Sequence, residues 1–556
     1  MVKRTVLAMV LSLLVLIGFQ MYLEKVQKSM PGGEKKVEEV KTPQEGKVEE
    51  KPRETKKGLI RKSALNPEGE AEAQTIVVET PEYRATLTTA GGGFTRFDLK
   101  KYPDRPGKGA SPVNVIGQGE SPPYPYEIYT GDVQPPIPLN IIFTPSATEV
   151  RLEEGEVKTL SLSWKTKEGF EIERLYTFHG NSYVVEISTV YRNRSLYDID
   201  LVPGLELSQV YIGPLAGDKY SFKGLVAKLG NDVKRFSPDK LFKGKGPKTF
   251  VNWIALDSKY FTLGCIPGEP ARVEKVAPVG DDGLRLVFLT DRKILKPGES
   301  YTLKTTCYLG PKESGALKMA GDGFTAVLDY GFFGWIAKPL VVLLKYSNKV
   351  TGNYGIDIIL LTILIKILFY PMTHKSYISM KKMQDLQPII KKLQEKYKDD
   401  KNRLNQEVMN LYKTYKINPL SGCMPLILQI PVFFALYKAL LVAIELRHAP
   451  FMLWINDLSA PEHLIDFNVF GFVIPFRLLP LLMGISMFLQ QKMSPSGGMD
   501  PTQKKLMDFL PLIFTVMFWG FPSGLVLYWL VNNIISIGQQ YFIQKAAKKV
   551  KMPSQA

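Results

Sequence analysis

The chain has 556 residues, with 71 Lys and Arg against 54 Asp and Glu, which leaves a formal net charge of +17. This length allows several domains, and the basic balance is typical of proteins that meet nucleic acid or an anionic membrane surface. The three cysteines exclude a disulfide-rich scaffold and a multi-cysteine zinc site. The four histidines are scattered without the spacing of metal ligands, so no metal or other cofactor is expected.

The first 75 residues divide into an apolar segment and a polar one. Thr5–Leu23 carries no charge and follows Lys3 and Arg4. Because about 20 apolar residues span a bilayer, we expect an uncleaved transmembrane anchor over residues 1–23, with a cleaved signal peptide as the alternative. Residues 24–75 are rich in Lys, Glu, Pro and Gly, which predicts a disordered tether outside the membrane.

Short runs of alternating apolar residues follow over residues 76–310, separated by Gly and Pro clusters. This period predicts an antiparallel β-sandwich. Cys265 and Cys307 both fall inside it, and the sequence allows either a disulfide or two buried thiols. Residues 311–350 are predicted to be a linker and an amphipathic helix at the outer face of the membrane, with a buried core helix as the alternative.

Five further apolar stretches lie at about 354–372, 421–444, 474–492, 506–520 and 523–543. With the N-terminal segment they predict six transmembrane helices, of which five form a core over residues 351–545, and both termini lie inside. The four predicted inner segments total 80 residues and carry a net charge of +14, as the positive-inside rule requires. The predicted fold class is therefore a multidomain membrane protein with an outer antiparallel β-sandwich and a six-span α-helical domain.

The largest predicted inner loop, residues 373–420, contains two amphipathic runs joined by a short polar turn. Met380 and Met383 begin the apolar stripe of the first run, and Lys391 and Lys392 are among its basic residues. This pattern predicts a cytoplasmic helical hairpin. Its basic surface has two interpretations: solvated helices kept inside by their charge, or a docking surface for ribosomal RNA, lipid headgroups or an acidic chain.

Polar residues inside the predicted spans carry the strongest functional signal. Lys366 lies about a turn and a half from the inner end of the second span, with Thr362 one turn away on the same face. Since a buried charge is costly in lipid, Lys366 either extends to the inner interface or faces a wet cavity. We favour a hydrophilic groove because other spans carry polar residues at similar depth. These are Gln429 in the third span and Trp529, Asn532, Asn533, Ser536 and Gln540 in the sixth.

Two charged residues lie toward the outer end of the third span. Lys438 and Glu445 are seven residues apart, so they are expected to share one helix face and to act as interface anchors.

No catalytic constellation emerges from the sequence. It contains no nucleotide-binding loop, no short Gly-x-Ser-x-Gly pattern and no zinc-protease helix. We therefore expect a protein that is not an enzyme. A small-solute transporter is the alternative that polar residues in spans allow, although no internal repeat is visible.

Residues 324–545 contain several distinctive motifs, including Tyr370–Thr373, Asn418–Pro425, Trp454–Leu458 and Phe521–Trp529. Together these motifs resemble the YidC family of bacterial membrane protein insertases. The order of tether and β-domain ahead of them is similar to that of the Gram-negative type. The resemblance implies a chaperone and insertase of the bacterial inner membrane, with cytoplasmic termini and a periplasmic β-domain, acting alone or with the Sec translocon.

The resemblance also implies a mechanism. A positively charged groove, open to cytoplasm and lipid, receives the polar tail of a nascent membrane protein, and the apolar helix slides along the third and fifth spans. Lys366 stands where the family usually has Arg, which keeps the charge but removes bidentate pairing with a carboxylate. Thr362 matches a polar groove position and Trp529 a substrate contact. The resemblance implies that the hairpin and the basic tail, residues 546–556, contact the ribosome. No DNA partner is expected.

Overall fold

The computed structural model describes residues 67, 72–117, 124–129, 131, 133–138, 140–218, 221–321, 323–418, 424–469, 472–493 and 501–546. The predicted anchor over residues 1–23, nearly all of the tether and the tail after residue 546 lie outside the described residues. The described chain begins with a β-rich domain and continues as a helical region, which confirms the multidomain arrangement predicted from the sequence.

The β-rich domain begins at Thr75 and ends at Pro311. Its strands are β1 Thr75–Glu79, β2 Tyr83–Thr88, β3 Phe94–Pro103, β4 Pro112–Asn114, β5 Val133–Gln134, β6 Thr144–Pro145, β7 Glu149–Arg151, β8 Val157–Lys165, β9 Phe170–His179, β10 Val184–Asn193, β11 Ile199–Leu201, β12 Gly204–Val210, β13 Gly224–Leu229, β14 Asp232–Phe236, β15 Trp253–Asp257, β16 Phe261–Pro267, β17 Arg272–Pro278, β18 Gly283–Leu289, β19 Lys293–Leu295 and β20 Ser300–Pro311. One short helix, α1, covers Pro238–Phe242.

A nine-stranded sheet and a five-stranded sheet supply most of the strands. The larger has the order β14-β13-β15-β16-β20-β10-β9-β8-β6 and the smaller the order β4-β3-β2-β1-β7. Their inner faces share one apolar core, where the rings of Phe94 and Tyr176 lie 6.2 Å apart between centroids. Two three-stranded sheets, β19-β11-β5 and β12-β18-β17, complete the domain.

The pairing is antiparallel, as predicted, except between β1 and β7. These two run parallel, with Val78 opposite Val150. Parallel neighbours need a long connection, and the chain between β1 and β7 supplies one because it first forms five other strands. The alternation of apolar residues within a strand could not reveal this direction.

The two cysteines of the β-rich domain face each other across a strand pair. Cys265 in β16 stands opposite Cys307 in β20, and both are free, buried thiols. Burial raises the pKa of both thiols, which disfavours the reactive thiolate. The sequence allowed either a disulfide or two buried thiols, and the structure has the two buried thiols.

The helical region starts directly after β20. Its helices are α2 Ser314–Met319, α3 Gly334–Thr351, α4 Tyr354–Asp385, α5 Gln387–Lys396, α6 Lys401–Thr414, α7 Met424–Val442, α8 Leu478–Lys492, α9 Pro501–Phe518 and α10 Ser523–Ala546. A second apolar core joins α3, α4, α7, α8, α9 and α10. Among the described residues, α4 is the one helix whose length and apolar composition suffice to cross a membrane; Ile427–Val442 and Met507–Phe518 are shorter apolar helical segments.

The first run of the predicted hairpin is not one helix. Helix α4 continues to Asp385, the chain turns at Leu386, and α5 begins at Gln387. Pro388 explains the break, since it has no N–H to continue the hydrogen bonding of α4 and its ring disfavours a regular helix in the preceding turn. Helices α5 and α6 then pack together through a small core that includes Leu386, Ile390 and Tyr412.

The predicted span at 474–492 is also shorter than expected. Its first residues belong to a β-hairpin of β21 Ile465–Val469 and β22 Phe472–Phe476, and α8 begins only at Leu478. The prediction wrongly assigned the apolar residues of β22 to the helix, because a short apolar run does not distinguish a strand from a helix.

One arginine connects the helical region to the β-rich domain. Arg447, which follows α7, donates through Nη1 to the carbonyl of Pro103 at 2.6 Å and through Nη2 to that of Asp104 at 3.2 Å. Its guanidinium also lies 5.5 Å from the ring centroid of Phe261. The loop after α7 is thereby held against the end of β3 and against β16.

Candidate functional site: a polar cluster between α4, α8 and α10

Lys366 lies inside the helical region, with only 8% of its surface exposed. Its Nζ donates to Ser536 Oγ of α10 at 2.6 Å. Ser536 in turn donates to the carbonyl of Asn532 at 2.7 Å, and the Tyr377 side chain also hydrogen-bonds to Ser536. The structure thus joins two residues that the sequence predicted for one groove, although 170 positions separate them.

Within the described chain, no carboxylate lies close enough to Lys366 to form an ion pair. An ammonium has three donors, and the hydrogen bond to Ser536 satisfies one of them. A buried charge is normally paired or fully hydrogen-bonded. Lys366 therefore retains bonding capacity that a carboxylate or carbonyl oxygen could use.

Thr362 is fully buried one turn before Lys366, but it does not reach another helix. Its hydroxyl donates to the carbonyl of Ile358 on its own helix at 2.6 Å. A hydroxyl that bonds back within the helix keeps its acceptor lone pairs, so Thr362 adds polarity to this face without joining the helices.

Further polar contacts join α10 to α8. Asn533 Nδ2 donates to Ser486 Oγ at 2.9 Å, and Gln540 Nε2 donates to the carbonyl of Met493 at 3.0 Å. In this part of the described structure, three buried amide oxygens lack a hydrogen-bond partner: Asn532 Oδ1, Gln539 Oε1 and Gln540 Oε1. Buried oxygens of this kind usually bond to water or to a ligand.

Gln429 and Trp529 lie apart from the polar cluster. Gln429 Nε2 donates to the hydroxyl of Tyr528, which ties α7 to α10. Trp529 packs among aromatic rings, at 4.7 Å from Phe433 and 5.2 Å from Phe518 between centroids. The single stripe predicted for α10 therefore divides into a polar part, from Asn532 to Gln540, and an aromatic part at Trp529.

The four residues named on the predicted hairpin lie in different surroundings. Met380 packs with Tyr377 and Ile543 beside the end of α10, whereas Met383 packs against the core between α5 and α6. Lys391 and Lys392 are exposed on α5. Met380 is thus part of the polar cluster's surroundings, because α4 extends past the predicted start of the hairpin.

Lys438 and Glu445 do not act as a pair on one face. Lys438 Nζ lies 3.1 Å from Asp329, and Glu445 forms an ion pair with Lys345 of α3. Both contacts attach the segment around α3 to the C-terminal part of α7 and the residues that follow it. The seven-residue spacing suggested a common face, but α7 ends at Val442, before Glu445.

Sequence reasoning missed three residues at the site: Tyr377, Ser486 and Tyr528. Tyr377 lies eleven residues after Lys366, which is three helical turns on the same face, and this spacing could have indicated it. Ser486 is a lone hydroxyl in an apolar helix. Tyr528 has no comparable signal, since its partner Gln429 is identified only by the packing of α7 against α10.

The chain matches two sequence families over most of its length. Residues 75–343 match the YidC periplasmic domain, and residues 346–551 match the 60Kd inner membrane protein. The membrane protein insertase YidC of Syntrophus aciditrophicus (strain SB) is 40% identical over 98% of this chain and 100% of the relative. The corresponding insertase of Pelobacter propionicus (strain DSM 2379 / NBRC 103807 / OttBd1) is 39% identical over 98% of this chain and 99% of the relative.

A solved structure of an active YidC insertase, with its first transmembrane domain resolved, is 17% identical; the match covers 86% of this chain and 94% of that chain, with a TM-score of 0.37. The family assignment rests on the sequence relatives. The matches to these relatives extend over both the β-rich domain and the helical region. The family descriptions place the β-rich domain in the periplasm and the helical region in the inner membrane. The chain accordingly belongs to the YidC family of membrane protein insertases.

Proposed function

We propose that this chain inserts membrane proteins by receiving the polar tail of a nascent client at Lys366. The observation that carries the proposal is the buried ammonium of Lys366, which makes one hydrogen bond to Ser536 and has no carboxylate partner within the described chain. An acidic side chain of a client supplies the missing acceptor and the opposite charge. No covalent step is required, so the proposed activity is not enzymatic.

The surroundings of Lys366 support a site that holds water before a client enters. The free oxygens of Asn532 and Gln540 accept hydrogen bonds from water or from the N–H groups of a client tail. Such contacts replace part of the hydration that a polar tail loses when it enters the membrane. Lys366 offers a single point charge and not the planar fork of Arg, so it selects for negative charge without fixing the geometry of a carboxylate.

We propose that the apolar part of a client passes along α7 and α9. Both helices expose a row of large apolar side chains at helical spacing: Ile427, Ile430 and Phe434 on α7, and Phe509, Leu512 and Val516 on α9. The aromatic cluster around Trp529 joins these two helices, through Phe433 of α7 and Phe514 of α9. Exposed rows of this type also fit simple lipid contact, so the client path is tested separately from the charge.

The proposed topology has six spans with both termini in the cytoplasm. It places the hairpin of α5 and α6 and the basic tail inside, where they contact the ribosome, and the β-rich domain in the periplasm. Cooperation with the Sec translocon is part of the same proposal. We expect deletion of residues 76–300 to leave insertion intact. The relatives are named insertases, which does not favour a solute transporter.

The decisive experiment uses proteoliposomes that contain the full chain and a single-span client with an acidic tail. Lys366→Glu is expected to lower insertion about tenfold or more, which corresponds to ~1.4 kcal/mol per tenfold, whereas Lys366→Arg retains it. A matched client with a neutral tail is the control and is expected to be affected much less. Equal insertion of the acidic client by wild type and Lys366→Glu contradicts the proposal.

The client path has its own test in the same system. Photo-crosslinkers placed at Ile430 and Leu512 are expected to capture the apolar helix of a stalled client. Crosslinkers at Ile485 of α8, which is equally exposed, provide the matched control and should capture only lipid. Equal capture from all three positions refutes the path along α7 and α9.

A further inference from the structure

The hairpin of β21 and β22, between α7 and α8, has one apolar face on which the β21 side chains Ile465 and Phe467 are exposed. Strand register places Ile465 opposite Phe476, and the rings of Phe467 and Phe476 lie 5.9 Å apart between centroids, so these three side chains share a face. Asp466 and Asn468 belong to the other face. Ile465 and Phe467 are 54% and 51% exposed.

Such a hairpin is poorly suited to water. Its two strands pair only with each other in the described structure, and an isolated two-stranded hairpin is marginally stable at best. Exposure of large apolar side chains on one face adds to this cost. Something of apolar character is therefore needed against that face.

Two contacts hold the base of the hairpin at the ends of membrane helices. Glu462, just before β21, accepts hydrogen bonds from the backbone N–H of Leu479 in α8 and from Trp454 Nε1. Arg477, just after β22, donates to the carbonyl of Trp519 at the end of α9. The hairpin is thus fixed at the outer level of α8 and α9, with two tryptophans that are typical of the membrane interface.

The hairpin leads directly into α8, which also exposes apolar side chains. Phe476 precedes Leu478, the first residue of α8, by two positions, and Leu482 and Ile485 are the next exposed apolar residues along that helix. On the opposite face, Asp466 forms an ion pair with His463 at 2.8 Å, which suits an aqueous environment. Unpaired strand edges cannot lie in hydrocarbon, but they can be hydrated among lipid headgroups.

We propose that the β21–β22 hairpin lies flat on the outer leaflet, with Ile465, Phe467 and Phe476 against the lipid acyl chains. It is a membrane-contact site built from strands, separate from the amphipathic helix α3 predicted for the same surface. It anchors the outer ends of α8 and α9 beside the proposed client path. The inference rests on the proposed topology, in which α8 crosses the membrane.

The test measures how labels on the two faces collide with oxygen, which concentrates in hydrocarbon, and with a water-soluble nickel chelate. Single cysteines for nitroxide labelling replace Ile465, Phe467, Asp466 or Asn468 in the full chain carrying Cys423→Ala; Cys265 and Cys307 are buried and stay. The labelled protein is reconstituted in vesicles of phosphatidylethanolamine and phosphatidylglycerol. Labels at 465 and 467 should favour oxygen severalfold more than labels at 466 and 468.

A label at Ile485 of α8 separates the two proposals. If it favours oxygen while the label at 467 is as accessible to nickel as that at 468, the hairpin does not touch lipid and this inference is overturned. If the label at 467 is reached by neither reagent, protein covers the face, through a second copy or a partner, and the inference is again wrong. If Ile485 itself favours nickel, the proposed topology fails.

Discussion

Two buried cations in this chain have opposite surroundings. Arg174 on β9 is completely buried in the β-rich domain, where its Nη1 donates to the carbonyls of Gly91 and Gly92 and its Nη2 donates to that of Tyr126. Lys366 in the helical region is almost as buried but has a single hydroxyl partner. Neither cation forms an ion pair with a carboxylate among the described residues; their hydrogen-bond acceptors are carbonyls for Arg174 and a hydroxyl for Lys366.

The difference separates a cation that stabilises a fold from one that is available to a ligand. Arg174 fixes the turn after β2 and the loop around Tyr126 by donating to three buried backbone carbonyls. The carbonyls of Gly91 and Gly92 also accept from the Ile128 N–H and the Tyr176 hydroxyl, whereas that of Tyr126 depends on Arg174. Lys366 satisfies little within its own chain, so its burial contributes little to the fold. The following predictions test this contrast, from the largest expected loss of stability to the smallest.

The largest effect is expected for Arg174→Met. The substitution keeps the apolar bulk but removes three hydrogen bonds from a charged donor and leaves the Tyr126 carbonyl without a donor. Each lost bond is worth about 1–3 kcal/mol. We expect the free energy of unfolding of the β-rich domain to fall by about 3–5 kcal/mol, measured by pulse proteolysis of the full chain in detergent. Arg192→Met is the matched control, because its partner Glu173 is partly exposed. Similar small losses for both variants would show that Arg174 has no special structural role.

Ser536→Ala is expected to have an intermediate effect. It removes the one partner of Lys366 and leaves the ammonium buried without a hydrogen bond, at a cost of about 2 kcal/mol. Proteolysis of the helical region reports this loss. The double variant Ser536→Ala with Lys366→Met should recover most of it, and no recovery would mean that Ser536 acts independently of the charge.

Arg447→Ala should destabilise the chain by about 1–1.5 kcal/mol, since it removes charge-assisted hydrogen bonds at a partly exposed site. The contact joins the loop after α7 to the end of β3, so faster proteolytic separation of the β-rich domain from the helical region is expected. Insertion of the acidic client should change less than twofold, about 0.4 kcal/mol. A large loss of insertion would show that this domain contact takes part in the activity.

The smallest effect on stability is expected for Lys366→Met. Removal of the Lys366 ammonium relieves the free-energy cost of a buried charge, and the loss of its hydrogen bond to Ser536 offsets that gain. The free energy of unfolding should therefore stay within about 1 kcal/mol of wild type. Insertion of the acidic client should nevertheless fall. Denaturation in mixed detergent micelles and the proteoliposome assay measure the two quantities on the same preparation. A large fall in the free energy of unfolding would show that Lys366, like Arg174, stabilises the fold.

Much of the fold was predictable because it depends on local patterns. Alternating apolar residues indicated the strands after Thr75, and apolar runs indicated the helices from α4 to α10. The break at Leu386 was also predictable in principle, since Pro388 is a local signal. The direction of β7 and the hairpin at Ile465–Phe476 were not, because their apolar runs are compatible with more than one structure.

The candidate site was predictable only in part. Polar residues in apolar helices pointed to Lys366, Ser536 and Asn533, because charge and polarity are unfavourable in lipid whatever the tertiary structure. Their partners were not predictable. Ser486, Tyr377 and Tyr528 are ordinary side chains that become important through the packing of one helix on another.

By itself, the sequence determined where the charge of +17 lies, which segments are apolar and which family the chain resembles. These properties follow from the residues and their spacing alone. Only the tertiary structure decided that Lys366 meets Ser536 and no carboxylate, and that Lys438 and Glu445 pair with Asp329 and Lys345. Pairing between remote positions depends on how whole helices and sheets pack, and local periodicity carries no information about it.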